Sequence, residues 1–379
     1  MNNVFSKLNW TNGRNDPYII AEAGVNHNGQ IELAIQLVDA AKQAGADCVK
    51  FQAYTTDELV IQEAAKAAYQ ESSGPDGQNQ YEMLRLYELS EDEFSQIKDY
   101  CDAQHLDFLV TPFSRRWVTF FETLNVTAYK IGSGNLQHLD LLAAIGETGK
   151  PVIISTGMSN LQEVDQSLDH LQTFGCQEIA VLHCVSLYPT PIEKANLKAI
   201  RTLSDHTRLI TGFSDHTEFL EMGFLAVQQG ATILEKHLTL DKTQEGPDHR
   251  MSLEPTQLHI YIESARQAAA MTPQEQRTHI ECDPQLTELY QTALGNGNKE
   301  STTEELAVKR AAGMSVVSAL TIPKGTIITR EMITVKRPGT GIPADQIEQV
   351  VGATARHDIA PDQVVRYKDI MVSYGERNL

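Results

Sequence analysis

Short apolar, β-prone runs recur along the first two thirds of the chain, separated by helical patterns. They fall at residues 17–24, 47–52, 107–113, 128–134, 151–157, 178–186, 208–216 and 231–240. Runs that are apolar at nearly every position, not at every second one, predict strands buried on both faces, as in a parallel sheet. The intervals carry the helical period. After the first run comes a turn at residues 26–29, then Leu33, Ile35, Leu37 and Val38 before a stop at Gly45. Eight such units in roughly 250 residues predict a (β/α)8 TIM barrel, an α/β fold. An open doubly wound sheet is the alternative, but no G-x-G-x-x-G turn follows the first run.

One interval breaks the rhythm. Residues 53–106 contain an insertion, polar around 70–80, ahead of a helix whose start is marked by Ser90 and Glu93 as a capping box. An insertion just after a strand's carboxyl end is placed to act as a lid. Residues 271–310 are polar and poor in aliphatic side chains, and read as an extended linker with some helix. From residue 311 the texture changes to short β-prone runs cut by Pro-Lys-Gly, Pro-Gly and Ala-Pro-Asp turns. The predicted organisation is a barrel at 1–270, a linker at 271–310 and a small, mostly β domain at 311–379, near the size where independent stability is marginal.

Composition narrows the function. The net charge is −19, which argues against a nucleic-acid partner, because phosphate neutralisation needs clustered Lys and Arg. From residue 311 onward there are eight basic and seven acidic residues, so the acidity belongs to the first 310. An anionic substrate would therefore need a locally positive pocket there. No apolar run is long enough to span a bilayer and the amino-terminal stretch has no apolar signal core, so no membrane partner and a cytoplasmic location are expected. The five cysteines form no C-x-x-C pair, which predicts reduced thiols without a disulfide framework.

The chemistry collects where the strands end. Residues 231–240 run into Glu235, Lys236 and His237, three polar groups where a core strand leaves its sheet. The same occurs at Glu22, at Lys50 and Gln52, at Thr111 and Phe113, at Lys130 and Ser133, at Ser155, at Ser186 and Tyr188, and at Asp215 and His216. Parallel barrel strands bring these ends into one ring. His216 and His237, from adjacent strands, can converge on one divalent cation. Lys50 and Lys130 with Ser133, Ser155 and the backbone amides of Gly132 and Gly134 suit a phosphate and a carboxylate. Glu22 and Glu235 offer carboxylates for proton transfer, and Asp248 lies just beyond the eighth strand. Glu235 and His237 point the same way along a strand, whereas Lys236 points away.

Together the motifs AEAGVNHNG, VKFQ, TPFSR, YKIGSG, ISTGM, LHCVSLYPTP, GFSDHT, EKHLTLDK, GPDHRMSLEP and VKRPGTGI, spanning roughly residues 17–370, resemble the sialic acid (N-acetylneuraminate) synthases and the bacterial nonulosonate synthases. The resemblance implies a metal-dependent transferase that condenses phosphoenolpyruvate with open-chain N-acetylmannosamine, releasing phosphate by C–O cleavage. It also implies a C-terminal domain resembling type III antifreeze protein (SAF), exchanged between the subunits of a homodimer. In those terms His216 and His237 bind the cation, Mn2+ first, with Mg2+ or Co2+ as alternatives. Lys50, Lys130, Ser133 and Ser155 hold phosphoenolpyruvate, with Thr111 and Phe113 beside it. Gln52, Ser186, Tyr188 and Asp248 face the sugar, Glu22 and Glu235 are catalytic alongside His237, and Arg337 reaches the N-acyl group from the partner subunit.

Two departures bear on the acceptor. Ser186 stands where some members have asparagine, and Ala311 lies where some place an aromatic residue. A 2,4-diacetamido-2,4,6-trideoxymannose acceptor, giving N,N'-diacetyllegionaminate, is therefore the alternative. Outside this family, the alternatives are a lysine aldolase using Lys130 or Lys50 as a Schiff base, and a sugar-binding protein without catalysis.

Overall fold

A computed structural model describes residues 16–70 and 77–372 of the chain. The polar amino-terminal stretch, the middle of the polar insertion and the last seven residues lie outside the described residues. Eight parallel strands, β1 (Tyr18–Gly24), β2 (Cys48–Ala53), β3 (Asp107–Pro112), β4 (Tyr129–Ile131), β5 (Val152–Ser155), β6 (Ile179–Cys184), β7 (Ile210–Asp215) and β8 (Ile233–His237), occupy the eight predicted runs. They are ordered β3-β2-β1-β8-β7-β6-β5-β4, with β3 and β4 packed together to complete the ring. Helices alternate with the strands around the outside, giving the TIM-barrel architecture.

The local signals explain where the elements begin and end. The first helix, Ile31–Ala44, stops at Gly45, whose φ of 92° is left-handed and favours glycine. The helix Glu91–Gln104 begins with the Ser90–Glu93 capping box. Between the strands and the helices lies the main core, built from Ile19, Val49, Phe51, Phe121, Ile154 and Leu234 among others.

Inside the ring a separate plug is formed by Tyr18, Ile20, Cys48, Leu109, Ala128, Ile153, Leu182 and Ile233. Two residues further along the strands, the inward positions change character. Ile20 gives way to Glu22, Cys48 to Lys50, Leu109 to Thr111, Ala128 to Lys130, Ile153 to Ser155, and Ile233 to Glu235 and then His237. The two-residue strand period thus seals the barrel with an apolar floor and lines the space above with polar groups. Register places Glu22 opposite both Lys50 and His237. Lys236 points outward, where its Nζ donates to Asp215 Oδ2 at 2.9 Å and to the Thr217 carbonyl at 2.6 Å.

The segment expected to be a linker with some helix holds three helices, Pro273–Cys282, Pro284–Leu294 and Thr303–Ala312. Each is capped by an acceptor side chain, from Thr272, Asp283 and Thr302 respectively, and such caps are worth about 1 kcal/mol each. Aliphatic poverty made this stretch read as extended, whereas the caps and the two first-turn prolines are the signals that count.

The C-terminal domain carries two small antiparallel sheets, β9 (Ser315–Ser318) with β10 (Ile333–Lys336), and β11 (Thr354–Ala355) with β12 (Ile370–Met371). Its core is shared. Val316, Ile333, Ile342 and Val365 belong to one apolar cluster with Leu59, Val60, Met83 and Leu84 of the insertion and Phe113 of the barrel. The joint is also hydrogen-bonded, since Arg337 N–H donates to the Leu59 carbonyl and Ile61 N–H to the Arg337 carbonyl. Among the described residues no helix is long and apolar enough to cross a membrane, and the five cysteines are free.

Candidate active site

Above the apolar floor lies a cavity open to solvent. Of the residues singled out in the sequence, Glu22, Lys50, Gln52, Thr111, Phe113, Lys130, Ser133, Ser155, Tyr188, His216, Glu235, His237, Asp248 and Arg337 line it. Ser186 is set behind the wall. It is fully buried, its N–H donates to Glu305 Oε1, and its hydroxyl lies 4.0 Å from Cys184 Sγ.

Two lysines and two glutamates form a buried, charge-balanced network. Lys50 Nζ lies 3.0 Å from Glu22 Oε2 and 3.6 Å from Glu235 Oε1, and donates to Thr111 Oγ1. Gln52 donates to the other Glu22 oxygen at 2.9 Å. Lys130 Nζ donates to Ser155 Oγ at 2.6 Å and sits 3.7 Å from Glu235 Oε2, while Ser214 donates to Glu235 Oε1.

The burial is unequal in effect. Burial, helped by Glu235, raises the Glu22 carboxyl despite Lys50. For Glu235 burial is outweighed by Lys130, Lys50 and His216, which hold it below the usual carboxylate range. Burial lowers Lys130, partly offset by Glu235. In Lys50 the opposing pull of burial loses to Glu22 and Glu235, so it is raised. One carboxyl disposed to hold a proton thus stands near one disposed to stay ionised.

Beside this network, His216 and His237 have ring centroids 5.3 Å apart, with Tyr188 4.3 Å from His216. His216 Nδ1 lies 2.9 Å from the Val185 carbonyl, which can only accept, so that nitrogen carries a proton, and in the neutral ring Nε2 offers the lone pair. His237 Nδ1 is buried without a hydrogen-bond partner, 3.8 Å from Asp248 Oδ2. Burial and Glu22 push Asp248 up to about 7. Burial, with His216 and the lysines, holds His237 well down and hence neutral.

Two features of the wall were not foreseen. Tyr69 and Gln70 of the insertion line the cavity, and Tyr69 packs 4.7 Å from Tyr188. Val308 and Ala312, from the last of the three linker helices, line it too. Arg337 enters the cavity of its own chain, its guanidinium 5.4 Å over the Phe113 ring.

The sequence matches the NeuB family over residues 37–277 and the SAF domain over residues 313–371. The chain belongs to the NeuB family. It is 35% identical to an N,N'-diacetyllegionaminic acid synthase of Legionella pneumophila, over 93% of this chain and 94% of that protein. It is 30% identical to the N-acetylneuraminate-9-phosphate synthase of Homo sapiens, over 97% and 96%. The crystal structure of the spore coat polysaccharide biosynthesis protein SpsE of Bacillus subtilis superposes with a TM-score of 0.75 at 29% identity, covering 94% of this chain and 96% of that one.

In this NeuB-family enzyme the residues present fit a divalent cation. His216 offers Nε2 and His237 a buried, orphaned ring nitrogen, with Asp248 beside it. Among the described residues no group of three or more His, Cys, Asp or Glu side chains converges as a ready-made metal cage. Two imidazoles completed by water or substrate oxygens make an open site, which leaves positions for a reacting group.

Proposed function

We propose that this enzyme condenses phosphoenolpyruvate with N-acetylmannosamine in its open-chain form, giving N-acetylneuraminate and phosphate. The same reaction on 2,4-diacetamido-2,4,6-trideoxymannose, giving N,N'-diacetyllegionaminate, is the second reading, and the legionaminic acid synthase among the relatives favours it. The observation that carries the reaction is the pairing of Lys50 and Lys130 with Glu22 and Glu235 in one buried network beside two imidazoles.

In this reading Lys50, Lys130, Ser133 and Ser155 hold the phosphate and carboxylate, exchanging internal partners for charge-assisted bonds to the ligand. Thr111 and Phe113 flank the enol. The Ser133 hydroxyl accepts the Gly157 N–H at 2.9 Å, which holds it in place at the cavity wall. Gln52, Tyr188 and Asp248 orient the sugar, and Arg337 reaches its N-acyl group. A cation held by His216 and His237, Mn2+ first with Mg2+ or Co2+ as alternatives, would supply Lewis acidity toward the aldehyde oxygen.

Carbon 3 of phosphoenolpyruvate forms the new bond to the aldehyde carbon, and Glu22 supplies the proton that the resulting alkoxide takes up. Water adds at carbon 2, where Glu235, held ionised, accepts one of its protons; the C–O bond to phosphate then breaks as the carbon 2 carbonyl forms, and the remaining hydroxyl proton leaves with phosphate. The enzyme would act in the cytoplasm, as a homodimer whose C-terminal domains are exchanged so that each Arg337 serves the partner's cavity.

The test is phosphate release, measured with phosphoenolpyruvate and a panel of N-acylated mannose-type sugars. Release that requires one of the two named acceptors supports the proposal. No release with any of them favours sugar binding without catalysis.

A further inference from the structure

Glu305 belongs to the helix Thr303–Ala312, outside the barrel, yet it is almost wholly buried. Its Oε1 accepts the N–H of Met158 and the N–H of Ser186, each at 2.9 Å. Its Oε2 accepts the N–H of Thr302 at 3.1 Å. One carboxylate oxygen therefore holds two backbone donors from two different barrel loops, those following β5 and β6.

Those loops need holding. Met158 has a φ of 58°, in the left-handed region that non-glycine residues seldom adopt. The loops press together at Gly157, where a Cβ would lie 2.2 Å from Ser186 Oγ and 2.9 Å from Ser133 Oγ. Through this contact Gly157 N–H fixes the Ser133 hydroxyl, while two residues beyond Ser186 Tyr188 packs against His216. A second tie comes from the same segment, because buried Lys299 donates through Nζ to the Ser159 carbonyl at 2.7 Å.

We propose that Glu305 is a positioning residue for the reaction. It clamps the β5 and β6 loops into the geometry that presents Ser133 to phosphoenolpyruvate and Tyr188 to the sugar, and it makes that geometry depend on the helix leading into the C-terminal domain. The inference rests on the function proposed above. Its chemical requirement is an acceptor oxygen at the end of a side chain of glutamate length, with no need for charge.

Three variants test it, using steady-state phosphate release and amide hydrogen exchange at Met158 and Ser186. In Glu305→Ala, kcat should fall about a hundred-fold, the scale expected when catalytic groups are displaced by about 1 Å, with a smaller change in KM for phosphoenolpyruvate. Glu305→Gln keeps an oxygen that can accept both N–H groups and should restore kcat close to wild type. Thr302→Ala removes only the helix cap and should leave kcat unchanged. Should Glu305→Ala fail to fold, Glu305→Asp takes its place, since it is too short to span both loops. In all cases the two amides should stay protected in wild type and Glu305→Gln and lose protection in the truncated variant. Equal kcat in Glu305→Gln and the truncated variant, or unchanged amide protection, overturns the proposal. A wild-type protein that releases no phosphate sinks the reading of the cavity instead, and the clamp is then judged on amide exchange alone.

Discussion

Lys50 Nζ and Glu22 Oε2 stand 3.0 Å apart, both buried, on neighbouring strands that the barrel register places side by side. A buried pair of this kind gives little net stability, because desolvation offsets most of the attraction. Its value here is chemical. Burial raises the Glu22 carboxyl even with Lys50 beside it, which disposes this group to hold a proton that it can pass on. Glu22→Gln keeps the shape and still accepts from Gln52, and it should lower kcat by a factor on the order of 10² to 10⁴, the usual contribution of a general acid or base. Steady-state phosphate release with a parallel melting curve reads the result. A kcat within a few-fold of wild type would remove Glu22 from the proton-transfer role.

Arg337 raises a question of connectivity. Its backbone pairs with Leu59 and Ile61 of the same chain and its guanidinium covers Phe113 of the same barrel, whereas the proposed homodimer exchanges this domain between subunits. Co-expressing Arg337→Ala with Glu235→Gln separates the two arrangements. With exchange, a mixed dimer contains one cavity with both residues intact, so activity should recover partly. No recovery at any ratio of the two chains would establish docking within the chain.

Burial lowers Lys130, which is what a Schiff-base lysine needs. Its surroundings point elsewhere, because the ammonium is held by Ser155 Oγ at 2.6 Å and by Glu235 at 3.7 Å, partners that favour a charged amine. Incubation with pyruvate and borohydride should therefore leave Lys130 and Lys50 unmodified in a mass spectrum. A reduced pyruvyl adduct on either one would favour the aldolase alternative over phosphoenolpyruvate condensation.

The barrel was legible because each of its strands is marked twice, by a continuous apolar run and by the polar residue that ends it. Ile20 followed by Glu22, and Ile233 followed by Glu235 and His237, state both the floor and the site in a single two-residue period. What escaped the sequence depends on contacts between distant segments. Glu305 signals only a helix start, as the fourth residue of Thr-x-x-Glu, and nothing local says that its carboxylate also reaches Met158 and Ser186. Tyr69 sits in a polar insertion without a periodic pattern, and it becomes part of the cavity through a shared core with the C-terminal domain. Ser186 shows the converse. It follows an inward strand end as Tyr188 does, but it is buried against Gly157 behind the wall.

His237 carries the sharpest consequence of the proposed cation. Its Nδ1 is buried with no hydrogen-bond partner, a costly condition in a protein interior unless a ligand completes it. His237→Ala removes that nitrogen and leaves His216 held by the Val185 carbonyl, so the fold should persist, with melting within a few degrees of wild type. Titrating Mn2+ alone into the purified variant should then show binding weakened at least about tenfold, as is usual when metal-site residues are altered, and phosphate release should vanish. In the wild type, chelator should abolish release and added Mn2+ restore it. Unchanged Mn2+ affinity in His237→Ala would place the cation elsewhere, and unchanged turnover in chelated wild type would remove it from the reaction.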